Sequence, residues 1–167
     1  MSPNGADARP RVGVIVGPTA AGKSEVALAL GRDVGGEIVS LDSRQMYRGM
    51  DIGTAKPTPA ELAAVRHHLV DVAAPDETIA LADVQRLAVE AVGAIAAAGR
   101  LPLLVGGTGQ YVRAVVEGWQ LPRVPADEML RAELAAFAAA HGHAALHERL
   151  AGAAPAGAAA ADPPHAR

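Results

Sequence analysis

The sequence predicts an α/β protein, a three-layer core in which helices cover a parallel β-sheet. Three observations lead there. A glycine-rich loop, Gly17-Pro18-Thr19-Ala20-Ala21-Gly22-Lys23-Ser24, joins a β-branched apolar run to a helical one. Short apolar runs recur along the chain, separated by segments of helical spacing. Each run ends on a motif that carries chemistry, as strands of such sheets do at their carboxyl ends.

Arg11-Val12-Gly13-Val14-Ile15-Val16 is the first predicted strand, short and suited to burial in a parallel sheet. The loop after it reads G-x-x-x-x-G-K-[ST], the phosphate-cradling P-loop. Its backbone N–H groups and the N-terminus of the next helix would face a phosphate. Lys23 would add a charge and Ser24 an oxygen for Mg²⁺. Of the fifteen basic residues only Lys23 and Lys56 are lysines, so an arginine-using sequence keeps lysine in this loop. Glu25 to Leu30 begins the helix.

Glu37-Ile38-Val39-Ser40-Leu41 is the second predicted strand, entered from Gly35-Gly36 and ending at Asp42. Asp42-Ser43-Arg44-Gln45 follows. Asp42 is the carboxylate at a strand end, a candidate general base or Mg²⁺ partner, or simply a cap for the following turn. Arg44 suits a phosphate, a base face or a surface ion pair. Asp51-Ile52-Gly53-Thr54-Ala55-Lys56-Pro57 reads as a loop that could close over the phosphates.

Ala82 to Ala98 has amphipathic spacing and is a predicted helix, with Gly99 just beyond it. Leu101-Pro102-Leu103-Leu104-Val105 is the third strand, running into Gly106-Gly107-Thr108-Gly109. An ATP-hydrolysing P-loop enzyme of the Walker-B kind ends such a strand with an Asp that helps hold Mg²⁺. Glycines here allow close backbone approach to a ligand, and Thr108 offers a hydroxyl. The pattern favours a P-loop fold that binds a pyrophosphate without hydrolysing ATP; a tight strand-to-helix turn accounts for the glycines equally. Thr108 to Glu117 is a further helix. Three strands are few for a sheet covered on both faces, so the chain reads as incomplete.

After Gly118 the character changes. Leu121-Pro122-Arg123-Val124-Pro125 is a proline-rich joint, and Ala126 to Leu150 is helical in pattern, with Asp127 as N-cap and a division at Gly142. Residues 151–167 are rich in Ala, Gly and Pro and read as a frayed end. The predicted organisation is a tail over 1–10, a core over 11–118, helices over 119–150 and that end.

A net charge of −3 over 167 residues gives no global nucleic-acid footprint, so an RNA contact must be local. Without cysteine there is no disulfide framework. No apolar run reaches membrane-spanning length and the polar N-terminus is unlike a signal peptide, which places the chain in the cytoplasm. His67, His68, His141, His143 and His147 are poor metal candidates, since no H-E-x-x-H pattern accompanies them.

Together the stretches Gly17–Ser24, Asp42–Pro57, His68-Leu69-Val70-Asp71 and Leu103–Tyr111 resemble the tRNA isopentenyltransferase (dimethylallyltransferase) family. The resemblance covers nearly all of Val12 to Leu150. It implies transfer of a dimethylallyl group from dimethylallyl diphosphate to N6 of the adenosine beside the tRNA anticodon, assisted by Mg²⁺, with diphosphate leaving. It implies that Gly17 to Ser24 hold the diphosphate and that Asp42 and Thr108 are catalytic. Asp42, Ser43, Arg44, Gln45, Thr108 and Arg131 would contact tRNA, and the helices after Gly118 would be part of a helical insertion. Members are about twice as long, so the resemblance also implies a C-terminal truncation, and a monomer. A small-molecule P-loop kinase and a non-catalytic remnant are the alternatives.

Overall fold

The computed structural model describes residues 9–121 and 127–160. Most of the N-terminal tail, most of the proline-rich joint and the last seven residues of the frayed end lie outside the described residues. The chain divides into two compact units, Met1–Pro122 and Arg123–Arg167.

In the first unit the elements run β1 (Gly13–Val16), α1 (Lys23–Val34), β2 (Glu37–Ser40), α2 (Pro59–Ala64), β3 (His67–His68), α3 (Leu81–Ala97), β4 (Pro102–Gly106) and α4 (Gly109–Val116). The strands form one parallel sheet in the order β1-β4-β2-β3. This is the α/β architecture predicted, with one strand more than the three expected. β3 has two residues, both histidine, and so no apolar run announces it.

Local sequence explains the element boundaries. α1 ends where Gly35 adopts φ 65° and Gly36 N–H returns to Gly31 O at 2.9 Å, a turn that glycine enters without strain. α2 begins with a reciprocal capping box between Thr58 and Glu61, and Pro59 supplies a preset φ at its first turn. β4 is buried along its whole length, as a central strand of a parallel sheet must be.

The two faces of the sheet bury different helices. On one, Val39, Leu41 and Leu104 pack with Val84, Ala88, Val92 and Ile95 of α3 and Val112 of α4. On the other, Ile38, Leu103 and Val105 pack with Ala27 and Leu28 of α1 and with Val65. Strand alternation produces this division: Ile38 and Val39 are neighbours in sequence and face opposite helices.

At the N-terminal end of β2 lies a buried carboxylate that the sequence did not flag. Glu37 is 4% exposed. His68 Nε2 donates to its Oε2 at 2.6 Å, and Arg100 Nη1 donates to its Oε1 at 2.5 Å. Burial raises its pKa, but the hydrogen bonds from His68 and Arg100, with their charges, outweigh burial and hold it below the ordinary value.

In the second unit α5 (Glu128–Ala153) starts at Asp127, whose carboxylate accepts from Leu130 N–H at 2.9 Å. Gly142, at φ 84° and ψ 164°, breaks it into two halves. Arg149 ties the halves together, donating to Glu133 at 2.8 Å with its guanidinium 5.3 Å from the centre of the Phe137 ring. The expected fraying from residue 151 is corrected by the structure: α5 continues to Ala153 and α6 (Pro155–Ala160) follows. Pro155 is tolerated because it opens α6, where its N–H is not required, and Ala158 O accepts from His147 Nε2 at 3.1 Å. No helix among the described residues is long and apolar enough to cross a membrane.

The Glu37 network sets a pH dependence of stability. A carboxylate whose folded pKa lies below its unfolded value of about 4.3 stabilises the fold above that pH and loses the contribution as pH falls through the folded value. Glu37→Gln should lower stability at neutral pH by roughly 1.5–3 kcal/mol, the worth of hydrogen bonds to a charged group. In thermal melts from pH 3 to 7 the gap between wild type and variant should be constant at the upper end and close towards the lower.

Candidate functional site

The first predicted site element, Gly17 to Ser24, forms the turn from β1 into α1. Ala20 and Gly22 take left-handed conformations, at φ 64° and 76°, which turn the chain back on itself before the helix begins at Lys23. Pro18, Thr19, Ala20, Ala21, Gly22 and Ser24 are exposed, so the loop is open to a ligand. Lys23 Nζ donates to Pro18 O at 2.7 Å, which leaves two of its three N–H groups for an anion.

The second element begins where β2 ends. Leu41 N–H donates to Val105 O at 2.7 Å, carrying Asp42 up beside the end of β4. Asp42 Oδ1 accepts from Arg44 N–H at 2.9 Å, closing the turn that holds Ser43 and Arg44 at the surface. The capping role and the chemical role are thus compatible: one carboxylate oxygen organises the turn, and Oδ2 accepts no protein hydrogen bond among the described residues. Tyr111 is close by; burial, then Tyr47 and Asp42, push its phenol pKa up and keep the hydroxyl protonated.

The third element depends on Gly106. A Cβ there would overlap the carbonyl of Leu41 and lie 2.9 Å from Leu41 Cβ. Gly107 sits beside the P-loop: a Cβ on it would lie 3.7 Å from Gly17 O and 3.8 Å from Lys23 Nζ, ordinary contact distances. Bare backbone at Gly106 is what lets the turn after β2 pass close to the end of β4. Thr108 follows as the N-cap residue of α4, half-buried, and its hydroxyl makes no capping hydrogen bond.

These elements line a small, open cleft of about 80 Å³ between α1 and the sheet. Lys23, Ser24, Asp42, Gln45, Gly106 and Gly107 line it, so the structure brings together residues from all three motifs. Its inner wall is apolar, from Ala27, Leu28, Ile38 and Val105. Ser40 and Glu61 also line it and were not singled out from the sequence, and so does His67, weighed there only as a metal ligand. His67 is half-buried; burial lowers its pKa and outweighs the opposing hydrogen bond to Val65 O, favouring the neutral ring. With Nδ1–H committed to Val65 O, the neutral ring has its lone pair on Nε2.

Two residues of these motifs also hold the fold together. Gln45 is buried, and Ser40 Oγ donates to its Oε1 at 2.8 Å while its Nε2 donates to Ala55 O at 2.7 Å. It positions the loop, and with one amide N–H uncommitted among the described residues it also lines the cleft. Lys56, expected in a lid over the phosphates, spends all three N–H groups elsewhere, on Tyr47 O at 2.8 Å, Asp51 Oδ1 at 2.6 Å and Asp71 Oδ1 at 2.7 Å. Those two carboxylates hold its pKa above the ordinary lysine value. The loop's wall residues in the cleft are Ala55 and Pro57.

Arg131 belongs to the second unit, where it is exposed on α5 and pairs with Glu128 at 3.4 Å. Three other histidines have structural partners: His68 holds Glu37, His141 lies against Phe137 at 4.6 Å and His147 bonds Ala158 O.

A divalent cation fits the donor set. Mg²⁺ takes oxygen ligands, usually one or two carboxylates with phosphate and water completing its shell. The cleft offers the Ser24 hydroxyl and the Asp42 carboxylate beside the phosphate loop.

Comparison with known proteins follows the same lines. The model of the IPP transferase family matches residues 45–167. A tRNA dimethylallyltransferase of Roseiflexus sp. (strain RS-1) is 60% identical over 153 residues, covering 92% of this chain and 50% of the relative. The crystal structure of a tRNA isopentenylpyrophosphate transferase from Bacillus halodurans superposes with a TM-score of 0.66 at 46% identity, over 94% of this chain and 52% of that one. A eukaryotic dimethylallyltransferase solved acting on tRNA shares the fold at 22% identity, with a TM-score of 0.69. The chain spans about half the length of the curated relatives it matches.

The glycine constraint is testable by substitution. Gly106→Ala should destabilise the chain by roughly 1–3 kcal/mol, the usual cost of overpacking, because its Cβ meets backbone that cannot yield. Gly93→Ala is the control: the site is exposed within α3 with nothing within 4 Å, and it should gain roughly 0.5–1 kcal/mol from helix propensity. Urea denaturation of both variants measures the contrast.

Proposed function

The chain belongs to the IPP transferase family, and from that membership we propose that it transfers a dimethylallyl group from dimethylallyl diphosphate to N6 of the adenosine adjacent to the anticodon of a tRNA. One observation carries the reading: the P-loop, the Asp42 turn and the Gly106-Gly107 backbone line a single cleft. This shared lining supports reading the P-loop as an anion site and Asp42 as a base acting on one small substrate.

The chemistry has three requirements. The C1–O bond of the donor breaks and diphosphate leaves with the electron pair. The N6 lone pair forms the new C–N bond, and the N6 proton must go to a base. The amides of Gly17 to Ser24 and the ammonium of Lys23 stabilise charge gathering on the departing diphosphate. Mg²⁺, held by Ser24 and the diphosphate when bound, would add to that stabilisation. An exocyclic amine conjugated to adenine is a weak nucleophile, and proton removal relieves the positive charge that bond formation creates. Asp42 Oδ2 accepts that proton in this reading, and the free hydroxyl of Thr108 orients the adenine or the diphosphate.

The target base must leave its loop to reach the cleft. Exposed Ser43 and Arg44 beside Asp42 would contact the flanking RNA, and so would Arg131 in the helical segment. We assign residues 11–118 to the diphosphate-binding core and 119–150 to a partial helical insertion, in a cytoplasmic protein acting as a monomer.

Two substitutions separate the roles. Lys23→Ala should weaken binding of Mg²⁺-diphosphate by about ten- to a hundredfold, the worth of a charged hydrogen bond to phosphate. Thermal shift against diphosphate concentration reads this on the chain itself. Asp42→Asn should slow dimethylallyl transfer to an anticodon stem–loop by about 10²–10⁴-fold while leaving RNA affinity nearly intact. Full turnover with weakened Mg²⁺ binding would instead make Asp42 a metal partner. Stabilisation by Mg²⁺-ATP but not by Mg²⁺-dimethylallyl diphosphate would point to a kinase.

A further inference from the structure

The loop between Gly49 and Pro57 carries an unusual combination: a rigid frame and an apolar tip. Ile52 is 98% exposed and Met50 is 41% exposed. Single exposed apolar residues are common and ordinarily call for no explanation. This one is held out by a loop that is anything but loose. Lys56 is nearly buried and spends its three N–H groups tying the loop to Tyr47, Asp51 and Asp71. Thr54 Oγ1 donates to Met50 O at 2.7 Å across the tip. Gln45 Nε2 fastens Ala55 O to the end of β2. Ala55 accepts a left-handed conformation at φ 52°, a cost for any residue with a Cβ.

The placement says what the tip is for. Ala55 lines the cleft, and Ile52 is three residues away, so its Cα lies within about 11 Å of the cleft wall. Asp42 lines the same cleft, and the strand end it follows is tied to this loop through Ser40 and Gln45. Under the proposed function, on which this inference rests, a nucleotide leaves the RNA loop to enter the cleft. Its departure strips a stacking partner from the nucleotides on either side and opens their apolar faces to water. Aliphatic wedges cover such faces wherever proteins unstack nucleic acid.

We propose that Ile52, with Met50 beside it, is a positioning residue that packs on the base face exposed when the target adenosine leaves the RNA loop. The Lys56 clamp exists to hold that wedge at a fixed height above the cleft.

The test uses the full chain and a short RNA stem–loop with an adenosine in its loop, at fixed salt. Ile52→Ala should weaken stem–loop binding by roughly four- to fifteenfold, as removal of one or two buried methylenes does. Its melting temperature and its affinity for Mg²⁺-diphosphate should match wild type, and Ile52→Leu should restore RNA binding. The chain has one tryptophan, Trp119, so Ile52→Trp in a Trp119→Phe background gives a single reporter at the tip. Its emission should be quenched by the stem–loop and unaffected by a blunt RNA duplex. Equal RNA affinity of wild type and Ile52→Ala, with unchanged emission at saturating stem–loop, overturns the inference and leaves the proposed function standing. Failure of the wild-type chain to bind the stem–loop overturns the proposed function, and the inference with it.

Discussion

The site depends on the contact of Gly106 with Leu41. β4 lies between β1 and β2, and the chain must turn off each of these strands within a few residues of the same height. Any side chain at position 106 would drive into the backbone of Leu41. With none, Leu41 N–H reaches Val105 O at 2.7 Å and Asp42 emerges beside the P-loop. The constraint is steric, and its consequence is chemical: the Asp42 carboxylate and the Lys23 ammonium line one cleft.

Both faces of the sheet serve this geometry unequally. The face under α3 and α4 is a packed apolar layer, with Val39, Leu104, Val84 and Ala88 at or near complete burial. Its job is to fix the strands. The α1 face is also packed, but it borders the cleft, and Ala27, Leu28, Ile38 and Val105 belong both to its core cluster and to the cleft wall. At the start of β2, Glu37 anchors that strand to β3 and to the turn before β4 through His68 and Arg100. Charged groups thus occupy both ends of β2, one set satisfied within the fold and the other left open for a ligand.

Much of this was legible in the sequence where a local rule applies. The P-loop has a fixed spacing, the strands before it and after Gly36 and Gly99 are apolar runs bounded by glycine, and α3 has clear amphipathic spacing. The break at Gly142 and the cap at Asp127 followed from residue type alone. What escaped were features set by distant partners. β3 is a strand only because Ile38 and Val39 pair with it. Glu37 meets Arg100 across 63 positions of sequence, and nothing near Glu37 signals a buried carboxylate. His67 and Glu61 reach the cleft because α2 and β3 fold against α1 and β2, a tertiary fact with no periodic trace.

The same distinction explains why Lys56 does not act as a free cation over the cleft. Polar residues in a motif rich in chemistry look like ligand contacts, but a donor already spent within the fold has none to offer. Lys56 has all three of its N–H groups engaged, whereas Gln45 commits one donor and one acceptor of its amide. Lys23 differs in kind: a single hydrogen bond to Pro18 O leaves most of its capacity open. Asp42 likewise commits one oxygen of two. Sorting the polar residues by unspent hydrogen-bonding capacity separates those fully spent within the fold from those with capacity left. Lys23, Ser24 and Asp42 line the cleft with capacity to spare, whereas Lys56 belongs to the frame of the neighbouring loop.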